Sequence, residues 1–219
     1  MKRWLRGSAP RRLSVREAYA RWAPGYAAEA HNPLMRLEQA AMVELLPSAA
    51  GARALDLACG SGRYLRALTE RGAAAIGLDL SPEMLGRAAA LGRPLARGEM
   101  ARLPFAAAVF DLVVCGLAVG HAPRLGPMLA EAARVLRAGG AMLYSDFHPL
   151  AALSGLERTF RAADGRQYAV EHHLHLYEDH HAACAAAGLS IAAVREPRLD
   201  VDHPWRGRPA ALVILARKP

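Results

Sequence analysis

At 219 residues and 53% hydrophobic content, the chain can build one sizeable core but not two comfortable domains. Its formal net charge of +8 admits an acidic partner, yet lysine occurs only at Lys2 and Lys218 while arginine and alanine recur throughout; this reads as compositional bias, and nucleic-acid binding is not favoured. No run reaches the roughly 18 consecutive apolar residues of a membrane span, and the scattered Cys59, Cys115 and Cys184 suggest neither a disulfide framework nor a zinc knuckle, which fits a cytoplasmic protein.

Residues 1–13 are basic, lack the apolar stretch of a secretory signal and read as a loose tail. Ser14 with Glu17 forms a capping-box pattern, so a helix is expected to run through Tyr19 and Trp22 toward Pro24. A second helix is expected after Pro33, with Leu34, Leu37, Ala41, Leu45 and Leu46 as its buried stripe. Residues 54–58 predict a strand, 59–62 a glycine turn and 63–71 a helix. Residues 74–79 then repeat the pattern, with Ser81-Pro82-Glu83 opening the next helix. Further strands are expected at 94–97, 109–115 and 141–145, with a helix at 125–136.

Residues 147–176 break the rhythm and read as an insertion or lid, followed by a helix at 177–187. Strands at 190–194 and 211–216 are joined by a stretch rich in Pro and Gly with no room for a helix, so they should form an antiparallel hairpin. The expected fold is α/β: a Rossmann-like, doubly wound, mostly parallel sheet with helices on both faces. Residues 14–219 would form one domain, with 14–50 as an amino-terminal helical cover.

In an open sheet of this kind ligands bind beyond the carboxyl ends of the strands. Gly60 and Gly62 permit a sharp turn and close backbone approach to a ligand, while the helix after them presents free N–H groups. Asp56 could accept from a ligand ammonium, Asp79 could hold both hydroxyls of a ribose, and Glu99 could accept from an adenine amine. Taken singly, each acid has a plainer reading: Asp56 as a turn cap, Asp79 as a helix cap, Glu99 as a solvated loop acid. A nicotinamide dinucleotide shares the glycine turn and the later acid, but its fingerprint wants a further glycine where this chain has Leu65.

The ordered segments Leu55-Asp56-Leu57-Ala58-Cys59-Gly60-Ser61-Gly62, Gly77-Leu78-Asp79-Leu80-Ser81, Leu103-Pro104-Phe105 and Phe110-Asp111-Leu112-Val113-Val114 resemble class I S-adenosylmethionine-dependent methyltransferases over roughly residues 14–146. The small-molecule branch that includes quinone-biosynthesis enzymes is the nearest match. The resemblance implies that Asp56, Gly60 and Gly62 hold the methionine end, Asp79 the ribose, Leu80 the adenine face, and Glu99 with Met100 the adenine edge. Ala58, Cys59, Arg63, Cys115 and Tyr26 complete the expected cofactor surroundings. Ala58 stands where the family usually has glycine, and a small effect on approach is expected.

Methyl transfer from a sulfonium is an in-line displacement that needs positioning and a water-poor pocket more than a catalytic dyad. The stretch Cys115-Gly116-Leu117-Ala118 lacks the motif with which DNA amine methyltransferases hold a flipped base, so a small-molecule acceptor is expected. His121 is the candidate for acceptor contact or base duty. Residues 171–176 read as extended, putting Glu171, His173 and His175 on one face. His173, His175 and His148 are therefore substrate-side candidates, and no metal site is expected. Two other readings stay open: a cofactor-binding partner without turnover, and a nicotinamide-dependent oxidoreductase. Oligomeric state and acceptor are not encoded in the spacing.

Overall fold

The computed structural model describes residues 10–219. Strands β2 (Arg53–Leu57), β3 (Ala74–Asp79), β4 (Leu95–Arg97), β5 (Phe110–Cys115), β6 (Leu136–Phe147), β9 (Ser190–Arg195) and β10 (Ala211–Arg217) form one sheet in the order β4-β3-β2-β5-β6-β10-β9. The first five pair in parallel. β10 then inserts antiparallel between β6 and β9, so the chain ends in the expected hairpin.

Alternation along the strands divides the core in two. Leu55, Leu57, Val113, Met142 and Tyr144 face helices α5 (Leu125–Val135) and α7 (Tyr177–Ala186). Ala54, Val114, Leu143 and Val213 face the other way, toward α2 (Pro33–Leu45) and α3 (Arg63–Glu70). The sheet is therefore doubly wound, with α4 (Pro82–Ala88) completing the β3-to-β4 crossover. Among the described residues no helix is long and apolar enough to cross a membrane.

Two expectations fail in informative ways. Residues 1–9 of the proposed tail lie outside the described residues, but Arg11–Leu13 form β1, which pairs in parallel with β8 (Gln167–Val170). Leu13 is buried beside Phe160, Tyr168 and Val170, and this apolar anchor makes the segment a strand despite its two arginines. The insertion holds α6 (Pro149–Leu153), β7 (Thr159–Arg161) and β8, and a second sheet of order β1-β8-β7 results. Helix α1 (Val15–Trp22), capped by Ser14 and Glu17 as expected, packs on it through Ala18, Tyr19 and Trp22.

The stripe of α2 is also rotated from expectation. Met35, Glu38, Ala41 and Met42 are its buried residues, while Leu34 and Leu37 pack against a separate cluster around Phe147, Leu199 and Trp205. An acid takes a core position because its partners lie beneath it: Glu38 Oε2 accepts from Arg63 Nη1 at 2.8 Å, and Oε1 accepts from Tyr64 Oη at 2.8 Å and Ser145 Oγ at 2.6 Å.

Candidate active site

β2 ends in a turn whose backbone lies three times in the left-handed region: Ala58 at φ +56, Gly60 at +56 and Gly62 at +88. Glycine adopts this conformation without penalty, whereas Ala58 must carry a Cβ there. The turn is tied across to β3 by a bond from the Cys59 amide to Leu78 O at 2.9 Å. Opposite Asp56 in the register stands Gly77, where a Cβ would fall 2.9 Å from Cys59 Sγ, so a glycine in β3 makes room for the turn.

Asp56 is buried, and its Oδ2 accepts from the Leu65 amide at 2.7 Å in the first turn of α3. Burial pushes its carboxyl up to about 8 against the opposing pull of that bond. Asp79, at the end of β3, accepts from Gly60 N at 2.8 Å and from Ser81 N at 2.9 Å. Burial raises its pKa too, with those backbone N–H groups acting the other way. Two carboxylates therefore bracket the turn, each with lone pairs left for further donors.

Both face a cavity of about 700 Å³ lined by segments that follow β2, β3, β4 and β5. Ala58, Cys59, Gly60, Arg63, Leu80, Glu99, Met100 and Tyr26 line it as well, as the sequence led one to expect of their positions. Tyr19 and Trp22 of α1 line it too, and Leu199 and Trp205 come from the loop between β9 and β10.

His121 lies on this wall. Its Nδ1–H donates to Glu171 O at 3.2 Å, leaving Nε2 as an acceptor 3.0 Å from Tyr19 Oη and 3.2 Å from Arg158 Nη1. Burial, reinforced by the Arg158 charge, holds its pKa well below the usual histidine value, so the ring is neutral at physiological pH. Arg158 Nη1 also donates to Leu117 O at 2.6 Å.

Other expected positions fall elsewhere. Gly62 stands behind the turn, where a Cβ would meet Leu91 Cδ1 at 2.4 Å, and does not line the cavity. Cys115 is wholly buried in the sheet core. Arg63 reaches the cavity, but its Nη1 is held by Glu38 and by Gln39 Oε1 at 3.2 Å.

The histidine segment is no strand, so its sides do not alternate. Its backbone amides are taken by two different elements, Glu171 N by Leu13 O and His173 N by Gly120 O. His172, not His173, turns inward, with Nε2 3.1 Å from Asp146 Oδ1. His175 Nε2 donates to Ala122 O at 2.9 Å, and His148 Nε2 lies 3.2 Å from Glu196 Oε1. None of His148, His173 and His175 lines the cavity.

Sequence reasoning missed Arg158 and the Glu38 network, and named Tyr19 only as part of the amino-terminal helix. Gly116 and Gly120 were available signals: a Cβ at either would come within 2.1 Å of Tyr64 or His172, marking where side chains crowd the loop after β5.

A glycine bend between strand-end carboxylates, on a parallel sheet closed by an antiparallel hairpin, defines a class of architecture: the fold is that of class I S-adenosylmethionine-dependent methyltransferases. Residues 55–144 match the family described as "Methyltransferase domain". Among curated relatives, a malonyl-[acyl-carrier protein] O-methyltransferase of Enterobacter lignolyticus is 34% identical over 160 residues, covering 71% of this chain and 62% of that protein. The chain thus spans about six-tenths of that relative's length. A demethylmenaquinone methyltransferase of Mycobacterium bovis is 37% identical over 97 residues, covering 44% of this chain and 42% of its own. Among solved structures, an S-adenosylmethionine-dependent methyltransferase from Mesorhizobium loti superposes with a TM-score of 0.70 at 24% identity, covering 83% of this chain and 98% of that one. Magnesium protoporphyrin IX methyltransferase from Synechocystis, solved with bound S-adenosylhomocysteine, gives 0.65 at 19% identity over 94% and 95% of the two chains.

Proposed function

We propose that this chain transfers the methyl group of S-adenosylmethionine to a small organic acceptor. The observation that carries the reading is the pair Asp56 and Asp79 on either side of the left-handed turn, both facing one cavity. The donor set fits the cofactor. Asp56 is suited to an ammonium, Asp79 to a ribose diol, Leu80 to an adenine face, and Glu99 with Met100 to an adenine edge. Ala58, Cys59 and Gly60 offer backbone to the amino-acid portion, with Tyr26 above. Relatives named for a malonyl group on a carrier protein and for demethylmenaquinone support an organic acceptor.

Bound S-adenosylmethionine supplies a methyl group on a cationic sulfur, with a neutral thioether as leaving group. The protein's part is to position and to exclude water. Residues 14–50 and 147–176 are assigned as cover over the cavity, with Tyr19 and Trp22 as its apolar underside. A cytoplasmic setting is part of this reading and rests on the three free, buried cysteines.

Calorimetry with S-adenosylmethionine and S-adenosylhomocysteine tests the binding half, and transfer of labelled methyl into a metabolite extract tests the catalytic half. Both ligands should bind, and Asp79→Asn should weaken each by about tenfold or more, the loss of charge-assisted bonds. No heat from either ligand would sink the reading; heat without transfer would leave a binding module in place of an enzyme.

A further inference from the structure

Of the cavity cations that the cofactor reading leaves unused, Arg16, Arg124 and Arg158, Arg158 alone is held by side-chain hydrogen bonds among the described residues. It precedes β7, on the cover, and its guanidinium meets the loop after β5 through Leu117 O and His121 Nε2. Nη2 lies 3.4 Å from Tyr19 Oη, a marginal contact, and Nε has no partner among the described residues. Among those residues Arg158 also has no carboxylate within ion-pair distance. Its neighbour Glu157 is taken by Arg12, Asp56 accepts from the Leu65 amide in α3, and Asp79 accepts from the Gly60 amide of the glycine bend. A guanidinium fork with an open edge, half-buried in a cavity, is the geometry that takes up a planar oxyanion.

The same cavity has an apolar stretch of wall made by Leu156, Phe147, Leu199 and Trp205. Both histidines that line the cavity have their acceptor nitrogen engaged, His203 Nδ1 by the Trp205 amide at 3.0 Å. His121 has its Nδ1–H committed to Glu171 O, and Nε2 faces two donors, Tyr19 and Arg158. An acceptor suited to this site arrives already ionised.

We propose that Arg158, oriented by His121 and Tyr19, holds the carboxylate of an otherwise apolar carboxylic acid, and that this carboxylate is the methyl acceptor. The inference rests on the methyltransferase reading above. A carboxylate oxygen forms the new O–CH₃ bond while the methyl–sulfur bond breaks. The bonding pair stays on sulfur, so an anion and a sulfonium become a neutral methyl ester and a neutral thioether, with no proton to place. His121 is then a positioning residue that fixes the Tyr19 hydroxyl and the guanidinium, and not a base.

Octanoate and octanamide, titrated into protein saturated with S-adenosylhomocysteine, are the binding probes. Octanoate should bind about tenfold or more tightly than its amide, the worth of one charged hydrogen-bond pair. Arg158→Gln should abolish that preference while leaving S-adenosylhomocysteine affinity unchanged. Equal binding of acid and amide, or a preference that survives Arg158→Gln, overturns the proposal. In parallel, label transferred from methyl-labelled S-adenosylmethionine to an acid extract should be released by alkali as volatile methanol. Label that resists alkali, or none transferred, also overturns it. Wild-type protein that binds no S-adenosylhomocysteine at all would instead strike the methyltransferase reading itself.

Discussion

Ala58 holds a methyl group on a backbone bent to φ +56, a conformation that costs an L-residue about 1–2 kcal/mol. Replacing it by glycine removes that strain and returns part of the gain as chain entropy. Ala58→Gly should therefore stabilise the fold by about 0.5–1 kcal/mol, read from the urea midpoint. Asp56 carries a second prediction. Its folded carboxyl titrates at about 8 against an ordinary value of 3.8, so the folded state binds the extra proton between these limits. The stability contributed by that proton is complete below the lower value and is lost as pH climbs through the upper one. Ligand binding runs the opposite way, because an ammonium needs the ionised acid. S-adenosylhomocysteine affinity should rise by up to about tenfold per pH unit from pH 6 to 8, with proton release seen in buffers of different ionisation enthalpy. Asp56→Asn should flatten the profile. The places of Asp56 and Asp79 near the turn were legible in the sequence because each follows a short apolar run. Arg158 was not, since its partners Leu117, His121 and Tyr19 come from two other segments and no spacing rule connects them.

At the scale of elements, periodicity located the strands and helices of the main sheet and erred on which face of α2 turns inward. The stripe of leucines is real, but it divides between two clusters, and the acid between them meets the sheet together with Ala41 and Met42. Glu38 joins α2 to α3 through Arg63 and Tyr64 and to β6 through Ser145, whose Oγ in turn accepts from Leu117 N at 2.8 Å. Only the assembled core reveals why a charge is tolerated there, since its compensation comes from two other elements, α3 and β6. Glu38→Leu leaves Arg63, nearly buried, without its partner, and should cost about 3–5 kcal/mol in equilibrium unfolding. Adding Arg63→Met should recover much of that loss, because the pair would then leave the interior together.

For the whole molecule, alternation of strands and helices announced the doubly wound sheet and its closing hairpin, whereas the second sheet stayed hidden. β1 has three residues, two of them arginines, and only Leu13 signals an inward face. Its pairing with β8 depends on a partner near the other end of the chain, which local pattern does not register. That pairing reaches further than the strand itself. Leu13 O receives the Glu171 amide at 2.9 Å, and Glu171 O in turn takes the proton of His121 Nδ1. The leading segment thus works as a buckle, and the imidazole on the cavity wall is held by whether it is fastened. A chain shortened to begin at Ser14 should keep slow hydrogen exchange in β2 and β5, while the Glu171 amide exchanges at least about tenfold faster. Its imidazole, deprived of the carbonyl that favours its protonated form, should titrate still further below an ordinary histidine.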